Sequence, residues 1–250
     1  MSVITHLLFD CDGTLVDSER IAMAAMRDAG RTLGLRYSEE DCRHRFLGHA
    51  RQHTLAVFER DYGRPLPPGF AVELARAIRH GLETRLQPVP GLAEALADLP
   101  YEHHVVSNGS PDHVAFVLDM TGLDIYFKDR CHSAARSCPP KPSPQLYLQV
   151  MAALDVRPEQ CLAIEDSVPG VMAAVQAGIT TLGFASLASR EELVRAGCSV
   201  TFTRMEELAQ NIEQVTRTDC AANHVQGTLG SQPEVRRSGN SVLPRRQAGA

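Results

Sequence analysis

Residues Val3 to Thr14 read VITHLLFDCDGT, an apolar run that ends in two carboxylates, Asp10 and Asp12, with one residue between them. An apolar run of this length is typical of a buried strand. Two neighbouring carboxylates repel each other and lose hydration when they are buried, and a bound cation or a chemical role commonly offsets that loss. The pattern therefore predicts a functional site at the carboxyl end of the first strand.

Further strand-like runs follow along the chain, and helical patterns separate them. The five runs are Val3–Phe9, His103–Val106, Cys161–Ile164, Ile179–Phe184 and Ser199–Phe202. Strands that alternate with helices form parallel sheets. We therefore predict the α/β class, with a Rossmann-like parallel sheet core that carries helices on both faces.

The segment between the first motif and the second strand-like run has helical patterns alone, and we interpret it as an inserted α-helical cap. Near the end of the chain the periodicity disappears, and Gly, Ser, Gln, Asn and Arg dominate, which is typical of a disordered tail. The resulting domains are a catalytic core of residues 1–16 and 87–215, a cap of residues 17–86 and a tail of residues 216–250.

Composition narrows the function classes. The 250 residues are 44% apolar with a formal net charge of -5, so the chain lacks the basic surface that nucleic-acid binding usually requires. Seven cysteines without a Cys-x-x-Cys pair indicate reduced thiols. No segment resembles a signal peptide or a membrane span. We expect a cytoplasmic monomer or homodimer that binds neither nucleic acid nor membranes.

Three later polar segments complete the pattern: Ser107-Asn108-Gly109, Lys141-Pro142-Ser143-Pro144 and Glu165-Asp166-Ser167. Ligands bind outside the carboxyl ends of the strands in an open parallel sheet, so we expect these segments to meet the first acids at one edge. Carboxylates suit a hard cation, whereas a hydroxyl and an ammonium suit phosphate oxygens. The set predicts phosphoryl transfer with Mg²⁺ rather than Zn²⁺.

In order and spacing, these segments resemble the four motifs of the haloacid dehalogenase superfamily. The resemblance covers about residues 3 to 205. The helical insert directly after the first motif is similar to the branch that contains β-phosphoglucomutases, phosphoglycolate phosphatases and 6-phosphogluconate phosphatases. The resemblance implies a Mg²⁺-dependent phosphatase whose partner is a small phosphorylated metabolite, a sugar or sugar-acid phosphate such as 6-phosphogluconate or phosphoglycolate.

By position, the resemblance implies that Asp10 attacks phosphorus and becomes an aspartyl-phosphate. Asp12 would protonate the leaving oxygen and then deprotonate the hydrolytic water. Mg²⁺ would be held by Asp10, the backbone carbonyl of Asp12, and Asp166. The residues that hold the phosphoryl oxygens would be Ser107 and Lys141, with Asn108 adjacent.

Two positions depart from the family pattern. Gln145 stands where the family often has an acid, which bears on the orientation of Lys141. Cys11 lies between the two acids, and a thiol nucleophile is the weaker alternative to Asp10.

Other activities of the family differ in the residues that they need. A dehalogenase would not need Asp12, because a halide leaves without a proton, and a phosphonatase would need a cap lysine, which this chain lacks. A hexose phosphate mutase stays open, since Arg45–Arg51 resembles the cap segment with which β-phosphoglucomutases grip a sugar phosphate. Arg51 is predicted to bind a substrate anion. Ala22 stands where those mutases carry a histidine, so we favour the phosphatase, with a silent binding module as the third hypothesis.

Overall fold

The protein is described by a computed structural model that covers residues 4–47, 49, 51–134 and 138–227. Six strands form one sheet in the order β3-β2-β1-β4-β5-β6, and all five neighbouring pairs are parallel. The strands are β1 His6–Phe9, β2 Glu102–Ser107, β3 Cys131–Ser133, β4 Cys161–Glu165, β5 Thr180–Phe184 and β6 Val200–Phe202. The predicted parallel α/β sheet is confirmed. The sequence did not predict β3, because three half-buried residues carry no apolar run.

Alternate residues of the central strands enter two different hydrophobic clusters. Leu7 and Phe9 of β1 pack into one cluster, whereas Leu8 packs into the other. Every residue of β4 is buried, as expected for a parallel strand that is covered on both faces. The core helices are α5 Leu92–Asp98, α6 Pro111–Thr121, α7 Asp124–Phe127, α8 Gln145–Leu154, α9 Val168–Gln176, α10 Arg190–Ala196 and α11 Leu208–Gly227.

The last helix corrects the predicted start of the tail. Helix α11 continues to Gly227, past the predicted start of the tail at residue 216, and residues 228–250 lie outside the described part of the chain. Leu208, Ile212 and Val215 are buried against the core and anchor the first turns. Once such turns are formed, each further residue adds a hydrogen bond at little cost, so a helix can extend past its packed face.

The inserted helical cap predicted from the sequence is confirmed. Its four helices are α1 Ser18–Thr32, α2 Glu39–Phe46, α3 Arg51–Tyr62 and α4 Phe70–Arg85. They enclose a separate apolar cluster built largely of aromatic rings, among them Phe46 and Phe58, which stack at a centroid distance of 5.3 Å. The chain enters and leaves this unit side by side, because Val89 donates its backbone N–H to the carbonyl of Leu15 at 2.9 Å.

Among the described residues, no helix combines the length and the apolar character that crossing a bilayer would require.

Candidate active site

The carboxyl ends of three adjacent strands bring the predicted site together. Asp10 follows β1, Ser107 ends β2, and Glu165 ends β4 directly before Asp166. Strand β1 lies between β2 and β4, and the backbone N–H of Asp10 donates to the carbonyl of Ile164 at 2.9 Å. The sheet therefore places these side chains at one edge, as expected for an open parallel sheet.

Lys141 connects the strand ends through a buried ammonium group. Its Nζ donates to Asp10 Oδ1, to Glu165 Oε1 and to the carbonyl of Val106, each at 2.6 Å. Burial alone would lower the pKa of Lys141, but the two carboxylates outweigh it and raise this pKa well above its usual value. Lys141 is therefore a permanent cation held between two carboxylates.

Asn108 fixes the loop that carries Lys141. Its Oδ1 accepts the Lys141 backbone N–H at 2.8 Å, and its Nδ2 donates to the Lys141 carbonyl at 3.3 Å. Both polar atoms of the Asn108 amide thus contact the Lys141 backbone, a positioning contact that the sequence did not predict. Gln145 lies exposed at the start of α8, and Lys141 points into the cluster despite the missing acid at that position.

Three carboxylates lie close enough together to hold a divalent cation. Asp10, Glu165 and Asp166 each offer one oxygen within 4.8 Å of the others. Burial raises the pKa of Asp10 to about 7 and that of Asp166 well above its usual value. Asp166 Oδ2 is buried and has no hydrogen-bond partner among the described residues. One ammonium cannot compensate three ionised carboxylates, which is why their pKa values rise, and a bound cation would supply the missing positive charge.

The chain keeps space open beside these oxygens. Gly13 has a φ of +87°, and a Cβ there would lie 2.1 Å from Asp166 Oδ2. Gly170 is similar, because its Cβ would lie 1.7 Å from Glu165 Oε2. Both glycines of the motifs are thus explained by close approach of a carboxylate. Oxygen ligands of this kind are those that Mg²⁺ prefers in proteins.

Asp12 belongs to a separate hydrogen-bonded group beside the cluster, with Ser18 and His113. Ser18 Oγ donates to Asp12 Oδ1 at 2.6 Å, and His113 Nε2 lies 2.9 and 3.0 Å from the two carboxylate oxygens. Burial would raise the pKa of Asp12, yet these hydrogen bonds lower it overall, and the same contact raises the pKa of His113. The side chain of Asp12 is therefore held as an anion by a donor outside the cation cluster.

Sequence reasoning missed His113, Tyr147 and the contact of Glu165 with Lys141. Tyr147 donates its hydroxyl to Glu165 Oε1, the oxygen that also accepts from Lys141. His113 lies in the first turn of α6, directly after the loop that begins at Ser107. That position near a predicted strand end is the signal that was available for His113.

Other predicted residues take different positions. Arg51 is exposed, and its Nη2 donates to the carbonyl of Ala71 at 3.0 Å. Among the described residues, this hydrogen bond ties Arg51 to helix α4 of the cap and not to the carboxylate cluster. Ser107 is buried, and its Oγ accepts the backbone N–H of Gly109 at 2.9 Å. Burial raises the pKa of the Cys11 thiol well above its usual value, which disfavours a thiolate nucleophile.

Comparison with known proteins gives consistent matches. The haloacid dehalogenase-like hydrolase family matches residues 4–178. A 6-phosphogluconate phosphatase of Escherichia coli K12 is 28% identical over 211 residues, which are 84% of this chain and 95% of that protein. A hexitol phosphatase B of the same organism is 33% identical over 188 residues, which are 72% of this chain and 82% of that protein.

A solved structure with the same architecture extends these matches. The crystal structure of a haloacid dehalogenase-like protein of unknown function from Agrobacterium tumefaciens C58 is 28% identical to this chain, with a TM-score of 0.78. The superposition covers 85% of this chain and 99% of that chain. Residues 17–86 are 28% of the 250-residue chain, so a match over 85% of it extends into the inserted helical unit.

Proposed function

The chain belongs to the haloacid dehalogenase-like hydrolases and is a phosphoric monoester hydrolase, and we propose that it removes phosphate from small sugar or sugar-acid phosphates with Mg²⁺. The observation that carries this proposal is the buried ammonium of Lys141, which lies 2.6 Å from Asp10 Oδ1 and 2.6 Å from Glu165 Oε1. A fixed cation beside a carboxylate nucleophile is what phosphoryl transfer requires. The relatives named for 6-phosphogluconate and hexitol phosphates support the substrate class.

The first half-reaction forms an aspartyl-phosphate on Asp10. Lys141 occupies Oδ1 of Asp10, so the second oxygen is the one that attacks phosphorus. The bond between phosphorus and the substrate oxygen breaks as the new bond forms, and Asp12 passes to that oxygen a proton that it takes from the imidazolium of His113, whose pKa the contact with Asp12 raises. Lys141 and Ser107 hold the phosphoryl oxygens during the transfer. His113 keeps the Asp12 carboxyl turned toward the leaving oxygen.

The second half-reaction reverses the role of Asp12. Its carboxylate removes a proton from a water molecule, the water oxygen bonds to phosphorus, and the bond between phosphorus and Asp10 breaks. Inorganic phosphate then leaves, and Asp10 is restored. One acid therefore serves both steps, which explains why the pair with His113 and Ser18 must hold it at a constant position.

The carboxylate cluster would hold Mg²⁺ through Asp10 and Asp166, together with the backbone carbonyl of Asp12. When it is bound, the ion neutralises charge on the transferring phosphoryl group. The cap closes over the substrate in this proposal and selects it. Arg51 on the cap stays our prediction for a contact with a second anionic group of the substrate. We propose a cytoplasmic setting, since the six cysteines with described side chains are free thiols.

Phosphate release from a panel of sugar and sugar-acid phosphates tests the proposal. We expect release that requires Mg²⁺ and that the Asp10→Asn variant loses, whereas Asp112→Asn, at an exposed acid of α6, retains it. Isomerised hexose phosphate with little free phosphate would contradict the proposal in favour of a mutase. Absence of any turnover with intact phosphate binding would contradict it in favour of a binding module.

A further inference from the structure

A second cluster of potential metal ligands lies at the opposite end of the sheet from the carboxylate cluster. His6 and Glu102 are the first residues of β1 and β2, and His104 is the third residue of β2. Asp10 comes four residues after His6, which corresponds to about 13 Å along an extended strand. The two clusters are therefore separate sites.

The strand register explains why these three side chains meet. His6 is the register partner of Glu102, and Leu8 is the partner of His104. Side chains two residues apart on a strand share a face, so His6, Glu102 and His104 lie on the same face of the β1–β2 pair. The rings of His6 and His104 stack at a centroid distance of 5.3 Å.

The three potential ligand atoms converge. Glu102 Oε2 lies 3.9 Å from His6 Nε2 and 3.9 Å from His104 Nε2, and the three atoms all lie within 4.8 Å of one another. The side chain of His104 is 1% exposed and that of His6 is 13% exposed, whereas the Glu102 side chain is 61% exposed. The exposed carboxylate is free to move toward the two fixed rings.

Thr5 is placed to orient the His6 ring. Its Oγ1 lies 2.7 Å from His6 Nδ1 and 3.4 Å from the carbonyl of Gln160, so it can accept from the ring while it donates to that carbonyl. A proton on Nδ1 leaves the lone pair on Nε2, the atom that faces Glu102. An outer hydrogen bond of this kind is the arrangement that orients metal-binding histidines.

His104 has the same arrangement and an unsatisfied atom. Its Nδ1 lies 3.3 Å from His132 Nε2, and its Nε2 is buried without a hydrogen-bond partner among the described residues. A buried imidazole nitrogen without a hydrogen-bond partner is a candidate metal ligand, because no hydrogen bond compensates the hydration that it loses on burial.

We propose that His6, Glu102 and His104 bind one Zn²⁺ ion. Two imidazoles and one carboxylate form a donor set typical of Zn²⁺ with water as the fourth ligand, and nitrogen donors disfavour Mg²⁺. Tetrahedral coordination with bonds of about 2.1 Å places ligand atoms about 3.4 Å apart. The carboxylate oxygen therefore has to approach each ring by about half an ångström. The bound ion ties the start of β1 to the start of β2.

Zn²⁺ titration by calorimetry tests the site on the full-length protein, stripped with a chelator and held in excess Mg²⁺. We expect the wild type to bind one equivalent of Zn²⁺ at a saturable site. Glu102→Gln should lower the Zn²⁺ affinity at least about tenfold, and Thr5→Val, which removes the outer hydrogen bond, should lower it by about 10 to 100-fold. Thr5 and Glu102 are exposed side chains, so both variants should fold. The control is His53→Gln, because the rings of His53 and His49 stack at a centroid distance of 4.0 Å and form another histidine pair that could compete for Zn²⁺.

Thermal unfolding provides a second measurement. Zn²⁺ should raise the melting temperature of the wild type and of His53→Gln but not that of Glu102→Gln, because a ligand that binds the folded state stabilises it. Failure of the wild type to bind Zn²⁺ would overturn the proposal. Equal affinity in wild type and Glu102→Gln, or loss of binding in His53→Gln alone, would also overturn it. None of these outcomes depends on phosphatase activity.

Discussion

Replacement of Lys141 by methionine should separate two roles of this ammonium group. Its Nζ makes three hydrogen bonds of 2.6 Å, two of them with carboxylates, and the residue is 6% exposed. Methionine keeps a similar length but removes the charge. Breaking a buried ion pair by deleting one partner destabilises a protein by about 3 to 5 kcal/mol, because the remaining charge is left uncompensated. We expect Lys141→Met to lower the unfolding free energy by an amount in this range.

A second substitution should recover stability without recovering activity. Glu165 Oε1 accepts from both Lys141 and Tyr147, and glutamine at position 165 can still accept from Tyr147. The Lys141→Met, Glu165→Gln double variant restores the net charge of the buried cluster, so we expect a coupling energy of about 1 to 3 kcal/mol. Catalysis should stay about 10² to 10³-fold below wild type in both variants, because the preorganised charge on the phosphoryl group is absent.

Urea unfolding and phosphate release measure the two effects in parallel. Lys128→Met serves as the control, since Lys128 is an exposed lysine outside the site. The control should match wild type in both assays. Catalysis by Lys141→Met within threefold of wild type would refute the assigned role of the ammonium. A double variant that is as unstable as the sum of its single variants would refute the electrostatic account of the buried cluster.

Three further predictions follow from other contacts. His113→Gln removes the charged hydrogen bond to Asp12, so it should lower kcat/KM for alkyl phosphates by about 10 to 100-fold. The loss should be much smaller for aryl phosphates, whose leaving groups need no proton. Equal losses for the two substrate classes in steady-state assays would contradict this prediction. Gly13→Ala should abolish Mg²⁺-dependent turnover and lower the melting temperature, because its Cβ would lie 2.1 Å from Asp166 Oδ2 at a φ of +87°; wild-type turnover would contradict it. Burial would raise the pKa of Asp61, but hydrogen bonds from two arginines and a tyrosine outweigh it and hold this pKa below 3.8. The ionised carboxylate therefore stabilises the folded protein above about pH 4, and this stabilisation is lost as the pH falls further. Asp61→Asn should therefore cost about 1 to 3 kcal/mol in urea unfolding at pH 7 and less at pH 3, and an equal cost at both would contradict it.

The meeting of the candidate site residues at one edge of the sheet was predictable, because its signals are local. An apolar run in the sequence ends at or just before each of these polar residues, Asp10, Ser107 and the pair Glu165-Asp166. Parallel pairing of such strands brings their carboxyl ends to one edge whatever the details of packing. The α/β class and the helical cap followed from the same periodicities, and the structure confirms both.

Long-range contacts were not predictable in the same way. His113 pairs with Asp12 across 101 positions, and the hydrogen bonds of Asn108 reach Lys141 across 33 positions. The position of His113 near a predicted strand end was its only signal, and no local pattern indicates that its partner is Asp12. Helix α11 passes the predicted start of the tail for a different reason, because polar residues beyond Val215 continue a helix whose first turns are packed.

Trapping of the covalent intermediate tests the central claim most directly. An aryl phosphate needs no proton for its leaving group, so Asp12→Asn should still transfer phosphate to the enzyme but fail to activate water, and the phosphoenzyme should accumulate. Acid quenching followed by mass spectrometry of peptides should find one phosphoryl group, on Asp10. A phosphoryl group on another residue, or turnover by Asp10→Asn at the wild-type rate, would contradict the account.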